Sequence, residues 1–143
     1  MMESVLNQGE LRLVAAAAVS AGTDVNSSII ACRGQRVVFF CTLATANAGN
    51  YMKIQQNATN TTVGMADLAG SKAVALANGN VVAVEINKPL KGFLRAVIVR
   101  GGTNTVMGDV YCYQSKLPVE PADNIVTDEI DAVILNSPAE GTA

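Results

Sequence analysis

The most strongly strand-like segment of the chain is PLKGFLRAVIVRGGTNTVMGDVYCY, which spans residues 89–113. Residues 93–99 form a short run of apolar, β-branched and aromatic side chains, which is typical of a strand covered on both faces. Residues 105–113 are also strand-like, and the GGTN tetrapeptide at 101–104 contains residues that turns favour. The sequence therefore predicts a β-hairpin at the centre of a sheet.

Two further strands are predicted upstream of this stretch. Residues 36–44 are rich in β-branched and aromatic side chains, so we expect this strand to be buried on both faces. Residues 51–56 alternate between apolar and polar side chains, which predicts that Met52 and Ile54 face inward and that the opposite face of this strand is exposed to solvent.

A third strand is predicted at residues 81–86, where three alternate side chains share one face: Val82, Val84 and Ile86. Residues 10–19 and 27–32 are further candidates, and residues 125–135 form either a last strand or a short helix. Roughly seven or eight short strands separated by Gly and Asn turns predict an all-β fold, an antiparallel β-sandwich that is jelly-roll-like.

The length of 143 residues favours a single domain. We expect the β-sandwich to span residues 10–115, between an N-terminal arm at residues 1–9 and an extended C-terminal arm at residues 116–143. The C-terminal arm begins with a linker that contains Pro118 and Pro121 and few apolar residues. The first residues lack the basic region of a signal peptide, so we expect synthesis in the cytosol.

Composition excludes several classes of function. The net charge is −2 and only 15% of residues are charged, which disfavours nucleic-acid and membrane partners. The chain has no His, which excludes His-based catalysis and ordinary zinc sites. We therefore expect no catalytic residues, no metal and no cofactor. Half of the residues are apolar, which predicts an outer surface that is partly apolar and covered by a partner or by other copies.

The cysteines and a cluster of acidic residues are two further groups that could carry chemistry. Three cysteines cannot all pair within one chain, and we expect them to be reduced and buried. The acidic residues Asp128, Glu129 and Asp131 lack the ligand spacing of a Ca²⁺ loop, so they predict a solvated acidic face.

Five residues are candidates for an interface or for a structural role. Arg95 interrupts an apolar strand, so its guanidinium needs a partner, either Glu85 in an internal ion pair or a neighbouring subunit. Arg100 begins a single Arg-Gly-Gly tripeptide at a strand end, without the repeats of RNA-binding segments. The other three are the prolines of the C-terminal arm, Pro118, Pro121 and Pro138.

Four motifs occur along the chain: IQQ with GMADLAG (residues 54–56 and 64–70), FLRAV (93–97), RGGTNT (100–105) and SPAEGTA (137–143). Together they resemble a family of small virion proteins of tailed bacteriophages. Members of that family have a Y/F-L-R-A/P-V-V strand, a Gly-rich turn and often an SPAEGTA ending in this order. One departure is that the acidic segment that usually follows Ile-Gln is here Gln56-Asn57-Ala58.

The resemblance implies a capsid decoration, or cement, protein on the outer surface of the phage head. It would be synthesised in the host cytoplasm, bind the major capsid protein at subunit junctions, and associate with its own copies as a dimer or trimer. We also expect both terminal arms to exchange between copies or to lie on the capsid. The alternatives are a tail or head-to-tail connector protein, and a β-sandwich that binds host glycans through exposed Tyr. An enzyme is the least favoured class.

Overall fold

The computed structural model describes residues 9–33, 36–115 and 129–143, which contain thirteen strands and no helix. The predicted all-β class is therefore confirmed. In these three ranges there is accordingly no helix long and apolar enough to cross a membrane. The strands are β1 (Gly9–Ala15), β2 (Ala18–Ala21), β3 (Val25–Asn26), β4 (Ile30–Ala31), β5 (Arg36–Thr42), β6 (Asn50–Asn57), β7 (Ala66–Asp67), β8 (Ala73–Val74), β9 (Val81–Asn87), β10 (Phe93–Arg100), β11 (Thr105–Met107), β12 (Val110–Ser115) and β13 (Ile130–Asn136).

The strands form two main sheets. A five-stranded sheet has the order β1-β12-β5-β9-β13, and a six-stranded sheet has the order β3-β10-β6-β7, with β4 also beside β10 and β8 beside β6. Strands β2 and β11 form a small two-stranded ribbon. Among the described strands every pairing is antiparallel except that of β13 with β9.

One hydrophobic core joins the inner faces of the two sheets. Met52 and Ile54 on β6 are fully buried, as the alternation of that segment predicts. The predicted inner face of β9 is confirmed as well, because its three apolar residues have no exposed surface. A period of two along each strand therefore gives each sheet one buried side.

The predicted hairpin at residues 89–113 is wrong. Strand β10 pairs with β6 over eight residues, from Phe93 opposite Asn57 to Arg100 opposite Asn50, whereas β12 pairs with β1 and β5 in the other sheet. The Gly102 amide donates to the Gly49 carbonyl at 3.2 Å, which holds the turn against the start of β6. The chain therefore crosses from one sheet to the other where the sequence predicts a tight turn.

The expectation that β5 is buried on both faces is also wrong. Val37, Phe39 and Cys41 lie in the core, while Val38 and Phe40 on the opposite face are half-buried. Side chains of neighbouring strands cover only part of that face.

Residues 130–136 form a strand, one of the two structures that the sequence allows. Strand β13 lies at the edge of the five-stranded sheet, in seven parallel pairs with β9. The residues after it pack on the same chain, since the Ala69 amide donates to the Ala139 carbonyl at 2.9 Å and Pro138 is buried. This part of the predicted C-terminal arm therefore lies on the domain. Residues 1–8 and the linker with Pro118 and Pro121 lie outside the described residues.

Candidate interaction surface

The outer side of the five-stranded sheet is apolar, although the outer side of an antiparallel sheet usually alternates to polar residues. Inner residues of β5, β9 and β12 enter the core, so the residues between them point outward. We name the outward-pointing apolar set the apolar face. It consists of Leu11, Leu13, Val38, Phe40, Val81, Ala83, Tyr111, Tyr113, Ile130, Ala132 and Ile134.

The strand registers arrange the apolar face in rows across the whole sheet. One row contains, in order, Leu13, Tyr111, Phe40, Ala83 and Ala132. The rings of Tyr111 and Phe40 stack with centroids 5.7 Å apart and planes at 28°. Aromatic pairs at this separation stabilise neighbouring strands beyond the effect of burial alone.

A second row runs beside the first and contains Leu11, Tyr113, Val38, Glu85 and Ile134. The two residues at its ends are the most exposed, at 48% for Leu11 and 53% for Ile134. Fully burying a Leu or Ile side chain is worth about 1.5–3 kcal/mol relative to leaving it exposed. A surface that covered both ends of this row would gain a substantial part of that energy.

Polar groups border the apolar face at one end. The Arg36 guanidinium lies 3.5 Å from the Glu85 carboxylate and donates to the Asn87 side chain at 3.1 Å. Asn87 in turn donates to Asn136 at 3.0 Å. The face therefore has a hydrogen-bonded polar border at this end, and polar rims are usual at protein interfaces.

The outer side of the six-stranded sheet has the opposite character. Lys53 donates to the Asp67 carboxylate at 2.9 Å, Gln55 donates to it at 2.8 Å, and Arg95 donates to Gln55 at 2.8 Å. Burial alone would raise the pKa of Asp67, but these hydrogen bonds and the charges of Lys53 and Arg95 hold that pKa below its ordinary value. This network suits a solvated surface.

Arg95 does not form the predicted ion pair with Glu85. The two residues lie in different sheets, and Glu85 pairs with Arg36 instead. Strand β9 lies between β5 and β13, whereas β10 pairs with β6, so β9 and β10 are not neighbours although they follow each other in the sequence. A contact between Arg95 and a neighbouring subunit stays a prediction.

Arg100 lies inside the domain, with only 3% of its surface exposed. Its guanidinium donates to the backbone carbonyls of Val19 at 2.8 Å, Thr23 at 2.9 Å and Thr105 at 3.0 Å. None of the carboxylates in the described ranges forms an ion pair with it. Arg100 therefore ties the β2–β3 connection and the start of β11 to the end of β10.

The predicted solvated acidic face is wrong for Asp131. That residue is 7% exposed, and its carboxylate accepts hydrogen bonds from the Leu76 amide at 2.8 Å and from the Asn80 side chain at 3.3 Å. Glu129 is exposed, and Asp128 lies outside the described residues. No group of three potential metal ligands occurs within the described part of the chain.

All three cysteines are free. Cys41 and Cys112 are buried and Cys32 is half-buried, so the expectation of full burial is met at two of the three positions. Burial raises the pKa of Cys41 to about 12 and that of Cys32 to about 11. These thiols are protonated at neutral pH and pack as small apolar side chains.

Sequence reasoning did not identify the apolar face. The available signal was the run of apolar residues on both sides of β5, which the sequence pattern suggested to be burial on both faces.

Comparison with protein-family models, with curated proteins and with solved structures finds no match for this chain.

Proposed function

We propose that this chain is a capsid decoration protein of a tailed bacteriophage, which binds the outer surface of the head at junctions between major capsid protein subunits. The apolar face carries this proposal, together with the motifs that resemble the virion family. An all-β domain with one apolar outer side and one polar outer side suits a protein that lies flat on a larger surface.

The size of the apolar face supports a role in binding. Five strands spaced about 4.8 Å apart and five residues along each strand give a footprint of roughly 400 Å². A footprint of this size lies in the range of about 300–600 Å² that is typical of the largest apolar patch on a monomer, which is often functional. It supplies about half of the ~800 Å² that one partner contributes to a standard interface, so neighbouring loops would complete the contact.

Cementing follows from burial across a junction. A protein that contacts two shell subunits adds its own interface to the one between them, and the pressure of the packaged DNA must then break both to separate the subunits. Because each copy contributes only a modest interface, repetition over the shell and association between copies would supply the strength.

The test is co-sedimentation of the purified protein with expanded, DNA-filled heads that lack it, and with unexpanded proheads. The proposal predicts saturable binding to expanded heads. Binding to neither particle would contradict it and would favour a tail or connector protein, with glycan binding as the next assay.

Two substitutions test the surface itself. Ala83→Lys at the centre of the apolar face and Ile134→Lys at its β13 end should each weaken head binding at least tenfold, because an unpaired ammonium group would enter the contact. The control is Val63→Lys, a loop position that is 80% exposed and lies off the face. Equal loss in all three variants would show that the face is not the binding surface.

A further inference from the structure

Strand β1 is an open edge of the five-stranded sheet. It pairs with β12 on one side, from Gly9 opposite Ser115 to Leu13 opposite Tyr111. No described residue pairs with its other side between Gly9 and Leu13. The edge closes only at Val14, whose carbonyl accepts a hydrogen bond from the Ser28 amide at 2.8 Å. Alternate residues of this five-residue segment therefore present unpaired backbone groups along one line, since the backbone groups of the others point toward β12.

Most protective features of sheet edges are missing from this segment. Natural edges are usually blocked by Pro, by charged side chains (especially Lys), or by a bulge. Strand β1 carries two charged residues, Glu10 and Arg12, but their charges are opposite and can pair across an antiparallel contact. Residues 9–13 contain neither Pro nor Lys, and the register shift of β1 begins only after Leu13. The side chains that β1 exposes on the outer side are instead two leucines, Leu11 and Leu13, at 48% and 56%.

We propose that two copies of this chain pair through β1, antiparallel, about a two-fold axis at Leu11. The two five-stranded sheets then join into one continuous sheet of ten strands. This inference is independent of the proposed binding to capsids, because it concerns the isolated protein.

The two charges on β1 select this register. A two-fold axis perpendicular to the sheet pairs residues whose side chains point to the same side of the sheet. Because successive side chains alternate between the two sides, the axis must pass through a residue and not between two residues. Centred at Leu11, the pairing places Glu10 of each copy opposite Arg12 of the other. Centred at Glu10 or at Arg12, it places two like charges directly opposite each other, which is destabilising.

The same register gives the exposed leucines neighbours. Leu11 lies opposite Leu11 of the second copy, and Leu13 lies opposite Gly9, where it meets the Tyr113 ring that packs over that glycine. The two apolar faces become continuous across the axis. Within one copy Glu10 and Arg12 already lie 3.6 Å apart, but both are more than 40% exposed, so that pair contributes little by itself.

The first test is sedimentation equilibrium of the full chain and of charge variants. The wild type should show a monomer–dimer equilibrium. Arg12→Glu and Glu10→Arg should each weaken dimerisation roughly tenfold, because each replaces two attractive cross-strand pairs with two repulsive pairs. The double variant Glu10→Arg/Arg12→Glu should restore it. The control Lys91→Glu breaks another exposed ion pair, Lys91 with Glu140, and should leave dimerisation unchanged.

The second test measures the register. Opposite residues on antiparallel strands have Cα atoms about 4.5–5.5 Å apart, which a disulfide can bridge. Leu11→Cys should therefore form a dimer-linking disulfide in a glutathione redox buffer. Val106→Cys is the matched control, since Val106 is also 48% exposed but lies on β11.

Three outcomes would overturn the inference. One is a monomer at all concentrations. Another is that the protein associates but the double charge variant does not recover the association lost in the single variants. That result would place the contact on a different surface. The third is a cross-link that forms equally well at positions 11 and 106.

Discussion

Two arginines on one strand allow a direct test of how this domain is held together. Arg100 is buried and donates to three backbone carbonyls, whereas Arg95 is half-buried and donates to one side chain, Gln55. Both lie on β10 and both are candidate site residues from the sequence. The structure therefore predicts very different consequences for the same substitution at these two positions.

The cost of Arg100→Ala follows from its contacts. A hydrogen bond that involves a charged group contributes about 1.5–3 kcal/mol, so three such bonds set an upper limit of several kcal/mol. Thr23 and Val19 are exposed residues, and water can reach their carbonyls once the side chain is removed. We therefore expect Arg100→Ala to lower the free energy of unfolding by about 3 kcal/mol.

Arg95→Ala should cost less than about 1 kcal/mol, because it removes one hydrogen bond at a half-exposed site. Arg100→Lys should recover less than half of the loss at position 100, since a single ammonium group cannot span three separated carbonyls.

The assay is urea unfolding followed by far-ultraviolet circular dichroism, since the chain has no Trp. With a denaturant slope of about 2 kcal/mol per molar, Arg100→Ala should lower the midpoint by about 1.5 M urea and Arg95→Ala by less than 0.5 M. Equal midpoint shifts for the two alanine variants would show that the buried carbonyl contacts of Arg100 contribute no more than a surface hydrogen bond, contrary to this prediction.

Three further predictions concern turns, buried charge and pH. Gly102→Ala should lower stability by roughly 1–3 kcal/mol in thermal unfolding, because the added Cβ would lie 2.7 Å from the Gly49 Cα. The control Gly101→Ala should be nearly neutral, since nothing lies within 4 Å of a Cβ at that position. Asp131→Ala should lower the free energy of unfolding by about 1–3 kcal/mol, because it leaves the Leu76 amide without its acceptor. The control Glu129→Ala, at an exposed position, should change that free energy by less than about 0.5 kcal/mol; urea unfolding measures both. Burial raises the pKa of Cys41 from 9.0 to about 12, so unfolding releases a proton from this thiol in that range. Cys41 alone should therefore lower the free energy of unfolding by up to about 1.4 kcal/mol per pH unit above 9.0, in addition to the effects of Cys32 and Cys112. Cys41→Ala should show a shallower slope of stability against pH, and identical slopes would contradict the assignment.

The inward and outward positions of β6 and β9 were predictable from the sequence, because side-chain direction in a strand depends only on a local period of two. Met52, Ile54 and the three apolar residues of β9 all occupy the side that their alternation predicts. The all-β class follows from the same kind of local information, since β-branched runs and Gly or Asn turns recur along the chain.

The candidate site was less predictable. Composition indicated an apolar outer surface, but the residues that form it come from five strands that lie far apart in the sequence. Tyr111 and Phe40 stack only because β12 pairs with β5 across about 70 residues of chain.

Local sequence patterns were therefore enough to predict that this protein is built from strands and which side of several strands is buried. They were not enough to predict which strands are neighbours, because that depends on contacts between distant segments. A Gly-rich turn after β10 permits a hairpin, but β10 makes eight antiparallel pairs with β6 and the next long strand joins the other sheet. Sheet membership depends on long-range hydrogen bonds and shared core contacts, and the same choice placed Arg100 and Asp131 inside the domain and separated Arg95 from Glu85.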